Sequence, residues 1–255
     1  MKRTSMLASI AIILTSLLSS GGVYAAEQTQ KADPATAKTP VTADLTTPNT
    51  PTPKPPSDPN NPTKTENEQG TVNGESGKLG IAYYPKGFSF TGNLGDSKLT
   101  LKDSGSNTGS DKVTYNIGVK DNTRQHNHWI LTANLNWNVG YELPGATITI
   151  ANPDNGKVKL NKNNGVTDFS ADDLVVQSDV QGTTSSSVTI NNTQTTIMTK
   201  DTGTVGKGTY DYSLGSVGSL TLTIPNATDL VAKQYGGNVN WNLQISPDTS
   251  NSITN

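Results

Sequence analysis

The constraint that does most to limit the fold lies near the end of the chain. From Val239 to Ile245 the residues alternate without a break: Val239, Trp241, Leu243 and Ile245 at odd positions, Asn240, Asn242 and Gln244 between them. Successive side chains of a strand point to opposite faces, so this stretch is a β-strand with one apolar and one polar face. The pattern has a longer counterpart, in which Trp129, Leu131, Ala133, Leu135, Trp137 and Val139 share a face opposite His128, Thr132, Asn134, Asn136 and Asn138. Each strand thus carries a Trp-x-Leu pair, Trp129 with Leu131 and Trp241 with Leu243, and parity turns both pairs toward the interior.

Short apolar alternations of this kind recur from residue 73 onward, separated by Gly, Asn, Asp and Ser, and no window sustains a helical period. Strands are expected over 98–101, 112–120, 128–139, 146–151, 157–160, 174–180, 187–198, 209–214, 220–224 and 239–245, with one helical turn at 171–174. Asn155-Gly156 tolerates the positive φ of a type I′ turn and predicts a hairpin between the strands on either side. The expected fold is all-β: a single antiparallel β-sandwich domain over 73–250, followed by a flexible tail over 251–255.

The preceding segment reads differently. Residues 26–72 hold nine of the fourteen prolines, spaced by Thr, Lys, Asn and Asp, a composition that buries no core and predicts a disordered Pro/Thr-rich spacer. At roughly 3 Å per residue it would reach on the order of 100 Å. Its PxxP-like spacing also admits a ligand for a proline-recognising domain. Before it, Lys2 and Arg3, the apolar run 6–18 and Val23-Tyr24-Ala25 predict a signal peptide over 1–25 and an exported chain. The apolar run is shorter than the roughly 20 residues of a bilayer span, so no membrane span is expected in the mature chain.

The chain contains no cysteine, which removes disulfides, thiolate metal sites, cysteine nucleophiles and a lipidated cysteine. The polar C-terminal stretch 246–255 shows no sorting sequence for covalent wall attachment, so attachment to a cell is expected to be non-covalent. A net charge of -2 with no basic stripe argues against a nucleic-acid partner.

Around the two pairs the residues resemble the WxL domain of Gram-positive surface proteins. The first signature is Val119-Lys120-Asp121-Asn122-Thr123-Arg124, then Trp129-Ile130-Leu131-Thr132-Ala133, Gly140 and Leu143-Pro144-Gly145-Ala146-Thr147-Ile148. The second is Leu222-Thr223-Ile224-Pro225 followed by Val239-Asn240-Trp241-Asn242-Leu243. Departures are Tyr210 where Trp is often expected, the stretch Lys233-Gln234-Tyr235-Gly236-Gly237, and His126 and His128 crowding the first motif. The resemblance implies a secreted, cell-surface module that attaches non-covalently to peptidoglycan or another wall polymer. It also implies partners among WxL-interacting and sortase-anchored surface proteins. A structural subunit that binds partner proteins, with wall affinity secondary, is the alternative.

Trp129, Leu131, Trp241 and Leu243 are the candidate binding residues. Their indoles would stack on sugar or peptide if exposed, or fill the core if buried. His126 and His128 could ligate a metal only with a carboxylate such as Asp121, and Asp121 with Arg124 is expected instead to form a turn and ion pair. The turn at 152–156 is rich in oxygen but lacks the bidentate glutamate of a calcium loop. HExxH, GxSxG and phosphate-cradling glycine loops are missing, and Glu142 is the one glutamate beyond Glu75. No catalytic residue, cofactor or metal is therefore assigned.

Overall fold

The computed structural model describes residues 38–73, 77–104, 113–151, 154–183, 187–201 and 203–246. The expected signal peptide, the first part of the spacer and the C-terminal tail lie outside these residues. The chain divides into two units, Met1–Leu45 and Thr46–Asn255. In the first, residues 38–45 are exposed and carry no regular structure.

Among the described residues the second unit has thirteen strands: β1 (Asn67–Gln69), β2 (Leu79–Pro85), β3 (Leu99–Lys102), β4 (Thr114–Asp121), β5 (His128–Trp137), β6 (Thr147–Ala151), β7 (Lys157–Asn161), β8 (Leu174–Gly182), β9 (Ser187–Ile190), β10 (Thr195–Lys200), β11 (Gly208–Ser216), β12 (Thr221–Ile224) and β13 (Gly237–Ser246). Nine form one sheet in the order β1-β2-β4-β11-β7-β8-β10-β5-β13, and four form another in the order β3-β12-β6-β9. Every pairing is antiparallel. The all-β class read from the alternation is the fold observed.

The core joins the inward faces of the two sheets. Tyr115, Ile117 and Val119 of β4, Tyr210, Tyr212 and Leu214 of β11, and Trp129, Leu131, Ala133 and Leu135 of β5 meet Ile148 and Ile150 of β6, Val188 and Ile190 of β9, and Leu222 and Ile224 of β12. Each set is spaced by two, as the pleat requires. The helical turn is also present, as a 3-10 turn at Ala171–Asp173. There Ser170 and Asp173 cap each other, the Ser170 hydroxyl accepting from the backbone of the turn and the Asp173 carboxylate from the Ser170 N–H.

Three features depart from the sequence expectation. The strand expected over 187–198 is two strands in different sheets, β9 and β10. Asn191 breaks it: its side-chain oxygen accepts from the Thr193 N–H at 2.7 Å and the Thr193 hydroxyl at 2.7 Å, turning the backbone between sheets. At Asn155-Gly156 both residues have positive φ, 51° and 79°, as a type I′ turn demands. Yet the strands it joins, β6 and β7, belong to different sheets, so the turn forms without the hairpin.

The third departure is the boundary at 73. The packed unit begins at Thr46, and residues 46–69 run as a strap that ends in β1 on the edge of the large sheet. Within the strap, Pro53, Pro55, Pro56, Ser57 and Asp58 are buried. The strap is held largely by side chains from far along the chain: the Lys54 N–H donates to Asn163 Oδ1 (3.1 Å), Asn161 Nδ2 to the Lys54 carbonyl (2.9 Å), and the Asn116 N–H to Asn67 Oδ1 (2.7 Å). Gly165 is close-packed against it, since a Cβ there would sit 2.7 Å from the Thr52 carbonyl oxygen. Composition alone gives no sign of such anchoring.

Candidate functional site

The strap explains why β4 is buried on both faces. Its even-numbered residues turn away from the sandwich core into a second, polar layer. Asp211 sits at the centre of that layer, accepting from the Tyr83 hydroxyl at 2.8 Å and from Asn116 Nδ2 at 2.9 and 3.1 Å. Asn161 Nδ2 donates in turn to the Tyr83 oxygen at 3.3 Å. Burial pushes the Asp211 carboxyl up to about 7, the Tyr83 and Asn116 hydrogen bonds opposing the shift. Tyr83 lies flat over Gly118, where any Cβ would collide with its ring.

The two Trp-x-Leu segments lie on neighbouring strands, β5 and β13, paired antiparallel. Leu131 stands opposite Leu243, Trp241 opposite Ala133 and Ile245 opposite Trp129. The motifs thus meet in register on one face of the sheet, although 112 positions separate their tryptophans (241 minus 129). Their environments differ. Trp129 and Leu131 are fully buried at 0% exposure, whereas β13 is the outer strand of the sheet, and Trp241 and Leu243 are half-buried against the core. Trp137 is also half-buried, and Val139, past the end of β5, is 92% exposed.

Trp129 is fixed by polar as well as apolar contacts. Its indole N–H donates to Asp121 Oδ2 at 3.1 Å, and its ring meets Tyr210 with centroids 5.9 Å apart. Asp121 also accepts from the Thr123 hydroxyl at 2.7 Å and the Thr123 N–H at 3.3 Å, and it lies 3.8 Å from Lys200 Nζ. Lys200 completes its coordination through the carbonyls of Asn127 (2.6 Å) and Thr204 (2.8 Å). Burial lowers the Lys200 ammonium, and the Asp121 charge opposes that shift. A Cβ at Gly206 would strike the Asp121 carboxylate, so only glycine fits there.

Asp121 therefore does form the expected turn, but its ionic partner is Lys200 rather than Arg124. Arg124 is exposed, takes positive φ (60°), and is tied by its N–H to the Gly206 carbonyl at 2.9 Å. Lys200, 79 positions beyond Asp121 in the sequence, carries no local signal of this role. His128 Nδ1 lies 3.8 Å from Asp201 Oδ1, and among the described residues no three His, Asp or Glu side chains gather as a metal site.

At the far end of β5 the loop after Trp137 folds back toward the segment before β13. The Lys233 ammonium lies 5.0 Å from the ring centroids of both Tyr141 and Tyr235 and donates to the Gly140 carbonyl at 2.7 Å. This ties the Gly140 turn of the first signature to the approach of the second.

A two-sheet antiparallel β-fold, with two ten-residue strands bearing matched Trp-x-Leu segments side by side, defines the class as an all-β domain. The family described as "WxL domain surface cell wall-binding" matches residues 31–247, and the chain belongs to this family. The match begins before the strap, in keeping with a structural unit that reaches well upstream of residue 73. No curated protein and no solved structure matches the chain.

Proposed function

We propose that the protein is exported and attaches non-covalently to the peptidoglycan of a Gram-positive cell wall, as a binding protein without catalysis. The observation that carries this reading is membership of a cell wall-binding surface family over most of the chain. The geometry directs the search for the binding surface. Trp129 and Leu131 are enclosed, so they shape that surface from within, and contact falls to exposed groups beside them. Sedimentation of the folded chain with purified peptidoglycan tests the reading. Protein in the pellet is expected, and a folded chain that stays in the supernatant overturns it.

A second reading, that the domain also serves as a subunit of a surface-protein complex, is favoured by β13. This ten-residue strand closes the large sheet with its outer edge unpaired among the described residues, and Ile245 on it is 41% exposed. Open edges of this length are templates for pairing with another chain. Ile245→Lys is expected to weaken capture of surface-protein partners while leaving wall sedimentation unchanged.

A further inference from the structure

A cleft of about 430 Å³ opens between the strap at 47–53 and three segments of the large sheet's rim, 120–124, 160–164 and 207–209. Four basic residues line it, Lys120, Arg124, Lys162 and Lys207, and none of its lining residues is acidic. Lys207 is neutralised from one side by Asp179, 2.5 Å away. Arg124 and Lys162 are exposed and form no ion pair among the described residues.

Lys120 is the informative member. It is 2% exposed, and its ammonium has one acceptor, the Thr50 carbonyl at 2.5 Å, leaving two of three donors without a protein partner. No carboxylate lies within ion-pair distance of it among the described residues. Lys200, equally buried, shows how the same fold treats a lysine that is purely internal: two carbonyls and the Asp121 carboxylate surround it. Burying an ammonium without a counter-charge is costly, and burial indeed lowers the Lys120 ammonium with nothing to oppose it. A hook for the strap would need only an amide or hydroxyl, as Asn122 supplies to Thr50 Oγ1 at 3.1 Å.

We propose that this cleft is an oxyanion-binding site, in which Lys120, Arg124, Lys162 and Lys207 receive carboxylate or phosphodiester groups of a wall polymer. The polymer assignment rests on the wall-binding reading, and the oxyanion chemistry rests on the cleft alone. Asn164, exposed among the lining residues, places an amide at the rim, where it can bond a neutral group flanking such an anion.

The test is a pair of NMR titrations of the folded chain, one with inorganic phosphate and one with N-acetyl-D-alanyl-D-alanine. Compared are the wild type, the triple variant R124Q/K162Q/K207Q, and a control with the same charge loss at exposed sites elsewhere, K98Q/K102Q/K157Q. Saturable shifts confined to 120–124, 162–164 and 207–209, weakened about tenfold or more in the cleft variant and unchanged in the control, are expected. Saturation by phosphate alone points to phosphate groups of the polymer as the source, and saturation by the peptide points to carboxylates. Absence of saturation with both anions overturns the proposal, as does an equal loss in the control. Because neither titration uses walls, failure of the chain to sediment with peptidoglycan would overturn the proposed function without touching this result.

Discussion

At the scale of single residues, the two tryptophans of the paired motifs share a letter and differ in duty. Trp129 fills the core and gives its N–H to a buried carboxylate, whereas Trp241 lies half-open on an edge strand. Replacing each by phenylalanine applies the same chemistry to both. Trp129→Phe leaves Asp121 short of a donor and is expected to cost about 2–3 kcal/mol in denaturant unfolding. Trp241→Phe is expected to cost less than about 1 kcal/mol. Asp211 gives a prediction in pH. Its ordinary value is 3.8 and its value in the fold is about 7, so between these the folded state alone holds the proton. Stability should therefore be greatest at the acid end of this window and fall as pH rises from about 4 to 7, levelling above. Asp211→Asn is expected to flatten that slope, as thermal unfolding across the pH range would show.

At the scale of elements, what sequence revealed was whatever depends on neighbours two positions apart. The alternations of β5 and β13 gave their inner faces correctly, and the helical turn expected at 171–174 is the 3-10 turn Ala171–Asp173. What escaped depends on residues distant along the chain. The break at Asn191 and the turn at Asn155-Gly156 have clear local chemistry, but which sheet the next strand joins is set by the core. β2 escaped because a bulge between Ile81 and Tyr83 spoils its period, and β1 because its partner was unseen. Of the candidate site, the motif positions were legible from spacing. The Asp121–Lys200 pair and the basic cleft were not, because each gathers residues from separate strands. The strap offers an element-scale prediction: Asn163→Ala removes the acceptor of the Lys54 N–H, so hydrogen exchange at Lys54 should quicken at least tenfold while β5 amides keep their protection.

For the whole molecule, the boundary of the folded unit becomes a measurable quantity. A chain beginning at residue 73 lacks β1 and the strap, and it leaves the Asn116 N–H and the Asn161 side chain without their strap partners Asn67 and Lys54. It is expected to melt roughly 10 °C below a chain beginning at residue 46, each kcal/mol being worth about 2–4 °C in a domain of this size. Equal melting temperatures would mean that the strap adds nothing to stability.

The same strap imposes a chronology. Its anchors at Asn116, Lys120, Asn161 and Asn163 lie 49 to 109 positions downstream of the strap residues they hold. Polypeptides are made from the N-terminus, so residues 46–69 emerge first, yet their seat exists only after β4, β7 and β11 have come together. The earliest-made part of the domain therefore cannot settle until those strands are in place, and the basic cleft, walled on one side by that strap, cannot be complete before them. Anion binding at the proposed cleft thereby requires that this part of the sheet is already built.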